Sequence, residues 1–211
     1  MRTHIFLVLD RSGSMSDRKN DHIGGLKSFI EQQKGIEPRP NFTFVQFDSN
    51  NPFDLIYDGV DIGEVSEITL EPRGMTPLLD AVGRTIAHAK EKVRVDEAPL
   101  FVVVTDGEEN YSVEWDRKSL AHTIKDRESV GWKFVFLGAG IDAFSEAGKI
   151  GLANNTVANV ANTSAGIANM YNVLRSKTTA YTSEVFTSGM VSMDSATLNF
   201  SDEERNSLSA S

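Results

Sequence analysis

Unbroken apolar stretches alternate with segments of helical periodicity along this chain, and that alternation most constrains its fold. Residues 5–9 and residues 100–104 contain no polar side chain, which is typical of strands buried on both faces of a parallel sheet. Between the predicted strands, apolar residues recur every three or four positions, as in helices that cover a sheet. The pattern predicts an α/β protein with a mostly parallel central sheet between two layers of helices.

The remaining elements are placed by the same criteria. Further strands are predicted at residues 42–47, 55–57, 134–137 and 156–160. Helices are predicted at residues 23–30, 79–93, 120–124, 143–150 and 167–174. The segment at residues 55–57 should pair antiparallel with the strand before it, at the sheet edge, after a turn at Asn51 and Pro52.

The first predicted strand ends in Asp10-Arg11-Ser12-Gly13-Ser14, which places a carboxylate and two hydroxyls at alternate positions. Open α/β sheets bind ligands at the carboxyl ends of their strands. Three hard oxygen donors, with a glycine that allows a tight loop, indicate a divalent cation such as Mg²⁺. A helix-capping loop uses the same residue types, so this segment alone leaves both interpretations open.

Two later loops carry oxygen-bearing side chains in comparable places. Gly74-Met75-Thr76-Pro77 precedes a predicted helix, and Thr105-Asp106-Gly107 ends the strand at residues 100–104. With the first loop, they resemble the von Willebrand factor A (vWA) domain and its metal-ion-dependent adhesion site (MIDAS). The pattern of that site is D-x-S-x-S, then Thr, then Asp. This chain has a matching residue at every position: Asp10, Ser12, Ser14, Thr76 and Asp106.

The resemblance extends over residues 3–175, and the first loop is similar to the stand-alone bacterial and phage type of the family. It implies a three-layer, Rossmann-like vWA fold. It also implies that the hydroxyls of Ser12, Ser14 and Thr76 contact the metal directly, whereas Asp10 and Asp106 act through waters or as anchors. The metal would be Mg²⁺, or alternatively Mn²⁺ or Ca²⁺. One coordination position would remain for an Asp or Glu carboxylate of another protein.

The resemblance favours a metal-dependent protein-binding module, an adaptor or assembly factor, over an enzyme. A metal-dependent hydrolase of the phosphatase or nuclease type is the alternative, and it would need a general base within reach. None of the four histidines falls in the three loops, and Glu108 is the only loose candidate. A dehalogenase-like phosphatase would need a second Asp where this chain has Ser12. We therefore expect no catalytic residue. Glu108 and Glu109 either belong to a solvated loop or tune the cation affinity.

The composition disfavours several other classes of function. A formal net charge of −9 without a cluster of Lys and Arg argues against nucleic acid as a partner. The absence of cysteine excludes disulfides, thiolate metal sites and cysteine nucleophiles. No stretch approaches the ~18 apolar residues of a membrane span. The first residues do not form a secretory signal. We expect an acidic cytoplasmic protein that does not bind membranes.

A length of 211 residues fits one α/β domain plus an extension. We expect the vWA domain at residues 1–175, with Thr163 or Ser164 capping its last helix. In the Ser/Thr-rich extension at residues 176–211, helical periodicity is lost and partial docking on the domain is favoured. Its Ser201 and Glu204 match a capping box. The three carboxylates that follow Ser201 either form a solvated capping motif or occupy a metal site, that of their own chain or, in self-association, that of a neighbouring copy.

Overall fold

The computed structural model describes residues 1–193 and 195–210. The strands are β1 (Arg2–Asp10), β2 (Asn41–Asp48), β3 (Asn51–Asp61), β4 (Glu97–Thr105), β5 (Lys133–Ala139) and β6 (Val157–Val160). The helices are α1 (Lys19–Lys34), α2 (Leu78–Lys92), α3 (Arg117–Glu128), α4 (Ala143–Lys149), α5 (Ser164–Ser188) and α6 (Asp202–Ser209). Short 3₁₀ helices lie at Gly13–Arg18, Ile62–Glu64 and Asn154–Thr156.

The six strands form one sheet in the order β3-β2-β1-β4-β5-β6. Neighbouring strands run parallel, except that β3 pairs antiparallel with β2 at one edge. The predicted α/β fold, with a mostly parallel sheet and one antiparallel edge strand, is confirmed. The strand at this edge has 11 residues and is therefore longer than the predicted segment.

The predicted turn at Asn51 and Pro52 is wrong, because both residues already belong to β3. The chain turns at Ser49 and Asn50 instead. Asp48 fixes the turn: its Oδ1 accepts hydrogen bonds from the backbone N–H groups of Asn50 (2.6 Å) and Asn51 (3.1 Å). A carboxylate that binds the backbone two residues ahead is a common way to close a turn.

The sheet is buried on both faces. Along β1, Ile5 and Leu7 contribute to a core with α1 and α5, whereas Phe6 and Val8 contribute to a second core with α2, α3 and α4. Because side chains alternate between the faces of a strand, burial of both faces favours apolar residues at successive positions. This explains the unbroken apolar stretch and confirms helical layers on both sides of the sheet.

The last helix of the domain is longer than predicted. Thr163 caps it as expected, because its hydroxyl accepts a hydrogen bond from Gly166 N–H (3.0 Å). The predicted loss of helix from residue 176 is wrong, since α5 has 25 residues and extends to Ser188, where Gly189 in the left-handed conformation (φ 69°) caps it. The predicted domain boundary at residue 175 therefore falls inside this helix.

The polypeptide after α5 docks along the exposed edge of β6. Its side chains Leu198, Phe200 and Leu208 are buried. The backbone N–H of Ala161 donates to the carbonyl of Leu208 (2.8 Å), so α6 lies beside the edge strand. The predicted capping box of Ser201 and Glu204 is present at the start of α6. Docking covers an edge that would otherwise present unpaired backbone groups. Self-association through this segment stays a prediction.

Among the residues that the structure describes, none of the helices combines the length and the hydrophobicity needed to cross a membrane.

Candidate metal centre

The five candidate ligands lie in three loops at the carboxyl ends of the central strands. Asp10 is the last residue of β1, and Asp106 follows the last residue of the adjacent parallel strand β4. The chain leaves β1 toward β2 on one side and returns to β4 on the other, so this end of the sheet is a topological switch point. Open α/β sheets bind ligands at such a point. The second loop, which contains Thr76, leads into α2 beside it.

Asp10 is fully buried and is held by both central strands. Its Oδ1 accepts a hydrogen bond from Ser12 N–H (2.6 Å), and its Oδ2 accepts one from the Thr105 hydroxyl (2.6 Å). The same Thr105 oxygen accepts a hydrogen bond from Gly107 N–H (3.1 Å). Thr105 therefore fixes both Asp10 and the start of the third loop. The sequence alone indicates no such role for Thr105, which stands there only at the end of an apolar strand.

Three of the five side chains are in direct contact. The hydroxyl oxygens of Ser12 and Ser14 lie 3.0 Å apart, and the Ser14 hydroxyl donates to Asp106 Oδ1 (2.6 Å). Ser12 is buried, Ser14 is exposed and Asp106 is partly exposed. The contact between Ser14 and Asp106 joins residues 92 positions apart, and the cluster is open to solvent on the Ser14 side.

Thr76 is buried beside the third loop. Its backbone N–H donates to Asn110 Oδ1 (2.9 Å), and Asn110 N–H donates back to the Thr76 carbonyl (3.2 Å). A Cβ added at Gly107 would lie only 2.7 Å from the Thr76 hydroxyl oxygen, so the absence of a side chain there leaves room for that hydroxyl. Sequence reasoning missed Asn110, which carries no signal beyond its closeness to Asp106.

The first and second loops are also tied together. Gly13 N–H donates to the Gly74 carbonyl (3.0 Å), across 61 residues of sequence by their numbers. The structure thus gathers all five predicted residues into one cluster of loops.

The buried carboxylates favour a positive charge in this cluster. Burial raises the pKa of Asp10 to about 7, although hydrogen bonds from Thr105 and Ser12 act in the opposite direction and nearby Asp106 adds to the increase. Burial also raises the pKa of Asp106, opposed by the hydrogen bond from Ser14. Two acids that are costly to ionise together would be stabilised in their charged form by a cation.

The acidic residues after Asp106 have distinct roles. Glu109 accepts hydrogen bonds from the backbone N–H groups of Leu79 (2.9 Å), Tyr111 (2.8 Å) and Ser112 (2.7 Å). It therefore joins the third loop to the first turn of α2 and is more than a solvated loop residue. Tuning of the cation affinity by Glu108 and Glu109 stays a prediction. Glu108 is exposed.

Within the described ranges, no group of three or more His, Cys, Asp or Glu side chains is arranged to hold a metal ion. The candidate centre has two carboxylates, and its other three candidate ligands are hydroxyls. Its fit to a metal therefore depends on the hydroxyl groups of Ser12, Ser14 and Thr76.

Comparison with known proteins identifies the fold. No protein-family model matches the chain, and no curated protein matches it in sequence. Solved structures do match. A von Willebrand factor type A protein from Catenulispora acidiphila is 16% identical with a TM-score of 0.58, over 84% of this chain and 43% of that one. Proximal thread matrix protein 1 from the mussel byssus, with a zinc-occupied MIDAS motif, is 16% identical with a TM-score of 0.57, over 83% of this chain and 48% of that one.

A third match is the manganese-loaded TRAP protein of Plasmodium vivax, which is 17% identical with a TM-score of 0.54, over 76% of this chain and 69% of that one. The chain thus spans less than half the length of the first two proteins. At these identities the matches establish the fold alone: the chain has the Rossmann-like α/β fold of vWA domains.

Proposed function

We propose that this chain is a divalent-metal-dependent protein-binding module, an adaptor or assembly factor, that engages a carboxylate of a partner protein through a MIDAS-type site. The observation that carries the proposal is the contact chain from Ser12 through Ser14 to Asp106, with oxygen–oxygen distances of 3.0 Å and 2.6 Å. It brings hard oxygen donors from two distant loops to one point at the end of the sheet, as a hard cation requires.

The residues present fit Mg²⁺ or Mn²⁺. Ser12, Ser14 and Thr76 would hold the ion with neutral hydroxyls, and Asp10 and Asp106 would supply two negative charges from the same cluster. The zinc in the mussel protein and the manganese in the Plasmodium protein, both of the same fold, support a divalent ion here. The choice of Mg²⁺ rests on its preference for oxygen ligands.

A bound dication would supply a Lewis-acidic position for a carboxylate oxygen of the partner. Because the hydroxyls that bind the ion directly are neutral, the ion would keep most of its Lewis acidity. Ser14 lies on the solvent side, and the neighbouring Met75 and Tyr111 are 46% and 48% exposed. The cluster is therefore accessible to another protein, and these two side chains offer apolar surface beside it.

Binding, rather than catalysis, is the function that we propose. A hydrolase would need a free general base, but Asp10 and Glu109 are engaged in hydrogen bonds to the loops themselves. The histidines lie on β1, α1, α2 and α3, outside the three loops. The hydrolase alternative would have to use the exposed Glu108. We expect phosphatase, nuclease and nucleotidase assays to read background.

Metal titration of two matched variants tests the proposal. Asp106→Ala should weaken Mg²⁺ and Mn²⁺ binding about tenfold or more in calorimetry, because it removes a charge that contacts Ser14. Glu108→Ala removes an equal charge two residues away and should bind within about twofold of wild type. Affinity capture in Mg²⁺ and in EDTA, with Asp106→Ala as bait control, would then identify a metal-dependent partner. Equal metal affinity of wild type and Asp106→Ala would contradict the proposal.

A further inference from the structure

Four charged side chains connect the first and second loops to β2 and β3. The Asp48 Oδ2 atom accepts hydrogen bonds from the Nε atoms of both Arg11 (2.5 Å) and Arg73 (3.0 Å). Arg11 belongs to the first loop, Arg73 to the second, and Asp48 ends β2. Arg11 Nη1 also donates to Asp54 Oδ2 of β3 (2.6 Å). One carboxylate oxygen therefore bridges the two loops that carry candidate ligands.

Burial makes this bridge sensitive to its charge balance. The Asp48 side chain is 0% exposed and that of Arg11 is 6% exposed, whereas Arg73 is 49% exposed. Burial acts to raise the pKa of Asp48, but the hydrogen bonds from Arg11, Asn50 N–H and Arg73 outweigh it and hold the pKa below its usual value. The two arginines balance Asp48 and Asp54, so removal of Arg73 leaves one arginine for two carboxylates and breaks a bond of the fully buried Asp48.

The backbone of the second loop depends on the same contacts. Arg73 N–H donates to the Arg11 carbonyl (2.8 Å), and Met75 N–H donates to the Ser49 hydroxyl (3.0 Å) beside Asp48. Between them, Gly74 has a φ of 67°, a conformation that few residues other than glycine adopt. The segment is thus fixed on both sides of a tight turn. Thr76 is the next residue after Met75.

We propose that Arg73 is a positioning residue of the metal site: its bond to Asp48 holds the second loop against the first, so that the Thr76 hydroxyl reaches the ion. The inference rests on the proposed metal site. It adds a residue whose side chain contacts none of the five candidate metal ligands. It requires that the effect of Arg73 on metal affinity pass through Thr76. A general effect on stability would not have that dependence.

A double-mutant cycle tests this requirement. Arg73→Ala should raise the Kd for Mn²⁺ about tenfold, as loss of supporting groups around metal ligands does. In a Thr76→Ala background the same change should alter the Kd by less than about twofold, because the hydroxyl that Arg73 positions is already gone. Arg73→Lys keeps the charge beside Asp48 and should recover most of the affinity.

Arg84 provides the matched control. It is an arginine of α2 with a 38% exposed side chain, and its Nε donates to Glu114 Oε2 (2.6 Å), a contact that involves none of the five candidate ligands and neither the first nor the second loop. Arg84→Ala should leave the Kd within about twofold of wild type. Circular dichroism and melting of each variant in EDTA would show that the fold is retained.

The hydration of bound Mn²⁺ gives an independent measurement, which pulsed electron paramagnetic resonance can provide. Arg73→Ala should bind Mn²⁺ with one more water than wild type, and Thr76→Ala should show the same increase. An unchanged Kd and water count for Arg73→Ala would overturn the inference, as would an equal loss of affinity in the Thr76→Ala background. If wild type binds neither Mg²⁺ nor Mn²⁺, the proposed function itself fails. This failure is distinguishable from failure of the inference about Arg73, because it is seen in wild type before any variant is compared.

Discussion

Gly107→Ala should weaken metal binding about tenfold or more with little change to the fold. The backbone of Gly107 lies outside the left-handed region, so alanine is conformationally permitted there. The new methyl carbon would lie 2.7 Å from the Thr76 hydroxyl oxygen, whereas ordinary contact begins at 3.4 Å. The hydroxyl must therefore move by about 0.7 Å. Metal–oxygen distances in protein sites tolerate only about 0.2 Å, so a displacement of this size removes Thr76 as a ligand.

The substitution should change the metal affinity more than the stability of the fold. Loss of one ligand should raise the Kd for Mg²⁺ about tenfold or more, equivalent to about 1.4 kcal/mol. The free energy of unfolding in EDTA should fall by only about 1 kcal/mol, at the low end of overpacking costs, because a single side chain can move away. Calorimetric titration with Mg²⁺ and Mn²⁺ measures the first quantity, and urea unfolding in EDTA measures the second.

Gly148→Ala serves as the control for this substitution. Gly148 lies in α4, and a Cβ added there meets no atom within 4 Å. It should leave metal affinity unchanged and raise stability by about 0.5 kcal/mol, because alanine favours the helix. Wild-type affinity in Gly107→Ala for both ions would refute the reasoning, since the Thr76 hydroxyl would then not be needed for binding.

Two further predictions concern stability. Phe200→Ala should lower the free energy of unfolding by about 3 kcal/mol, since the ring is 4% exposed, and Phe186→Ala, at 55% exposed, should change it by less than about 0.5 kcal/mol in urea unfolding. Burial lowers the pKa of His22 from 6.5 to about 4, so the unfolded chain binds the proton first and stability is lost as the pH falls from 6.5 toward 4. The loss from this group should reach about 2.5 kcal/mol at pH 4.5, measured by urea unfolding. A His22→Gln variant with an equal loss would refute that assignment.

The sheet could be predicted from the sequence because both of its faces are buried. Apolar stretches without interruption identified β1 and β4, and helical periodicity located the covering layers. The C-terminal half of α5 could not be found in this way. Its buried residues include Lys177, Thr178 and Thr182, and a search for apolar periodicity does not count polar side chains. Lys177 is buried there because its ammonium donates to the Asn199 carbonyl (2.6 Å) and lies 2.8 Å from Glu204. That pairing depends on the docked tail.

The proximity of the five candidate ligands could likewise be predicted, because each follows or precedes an identifiable element and matches a family pattern. The residues that hold them in place could not. Arg11 and Asp48 are 37 positions apart, and Thr76 and Asn110 are 34 positions apart. Contacts between residues so far apart leave no recognisable pattern of residue spacing in a single sequence. They become visible only once β1, β2 and β4 are placed side by side.

The supporting contacts also explain how an open cluster of hydroxyls can keep a defined geometry. Serine and threonine side chains at a loop rotate freely unless neighbouring groups hold the backbone that carries them. Here Asp10 binds Ser12 N–H, Asn110 binds Thr76 N–H, and Asp48 joins the two loops through arginines. Each tie begins at a strand end or an adjoining loop, so the rigid sheet determines where the hydroxyls lie. Metal affinity should therefore respond to residues such as Arg73 that contact no ligand, and a search for functional variants of this domain should include them.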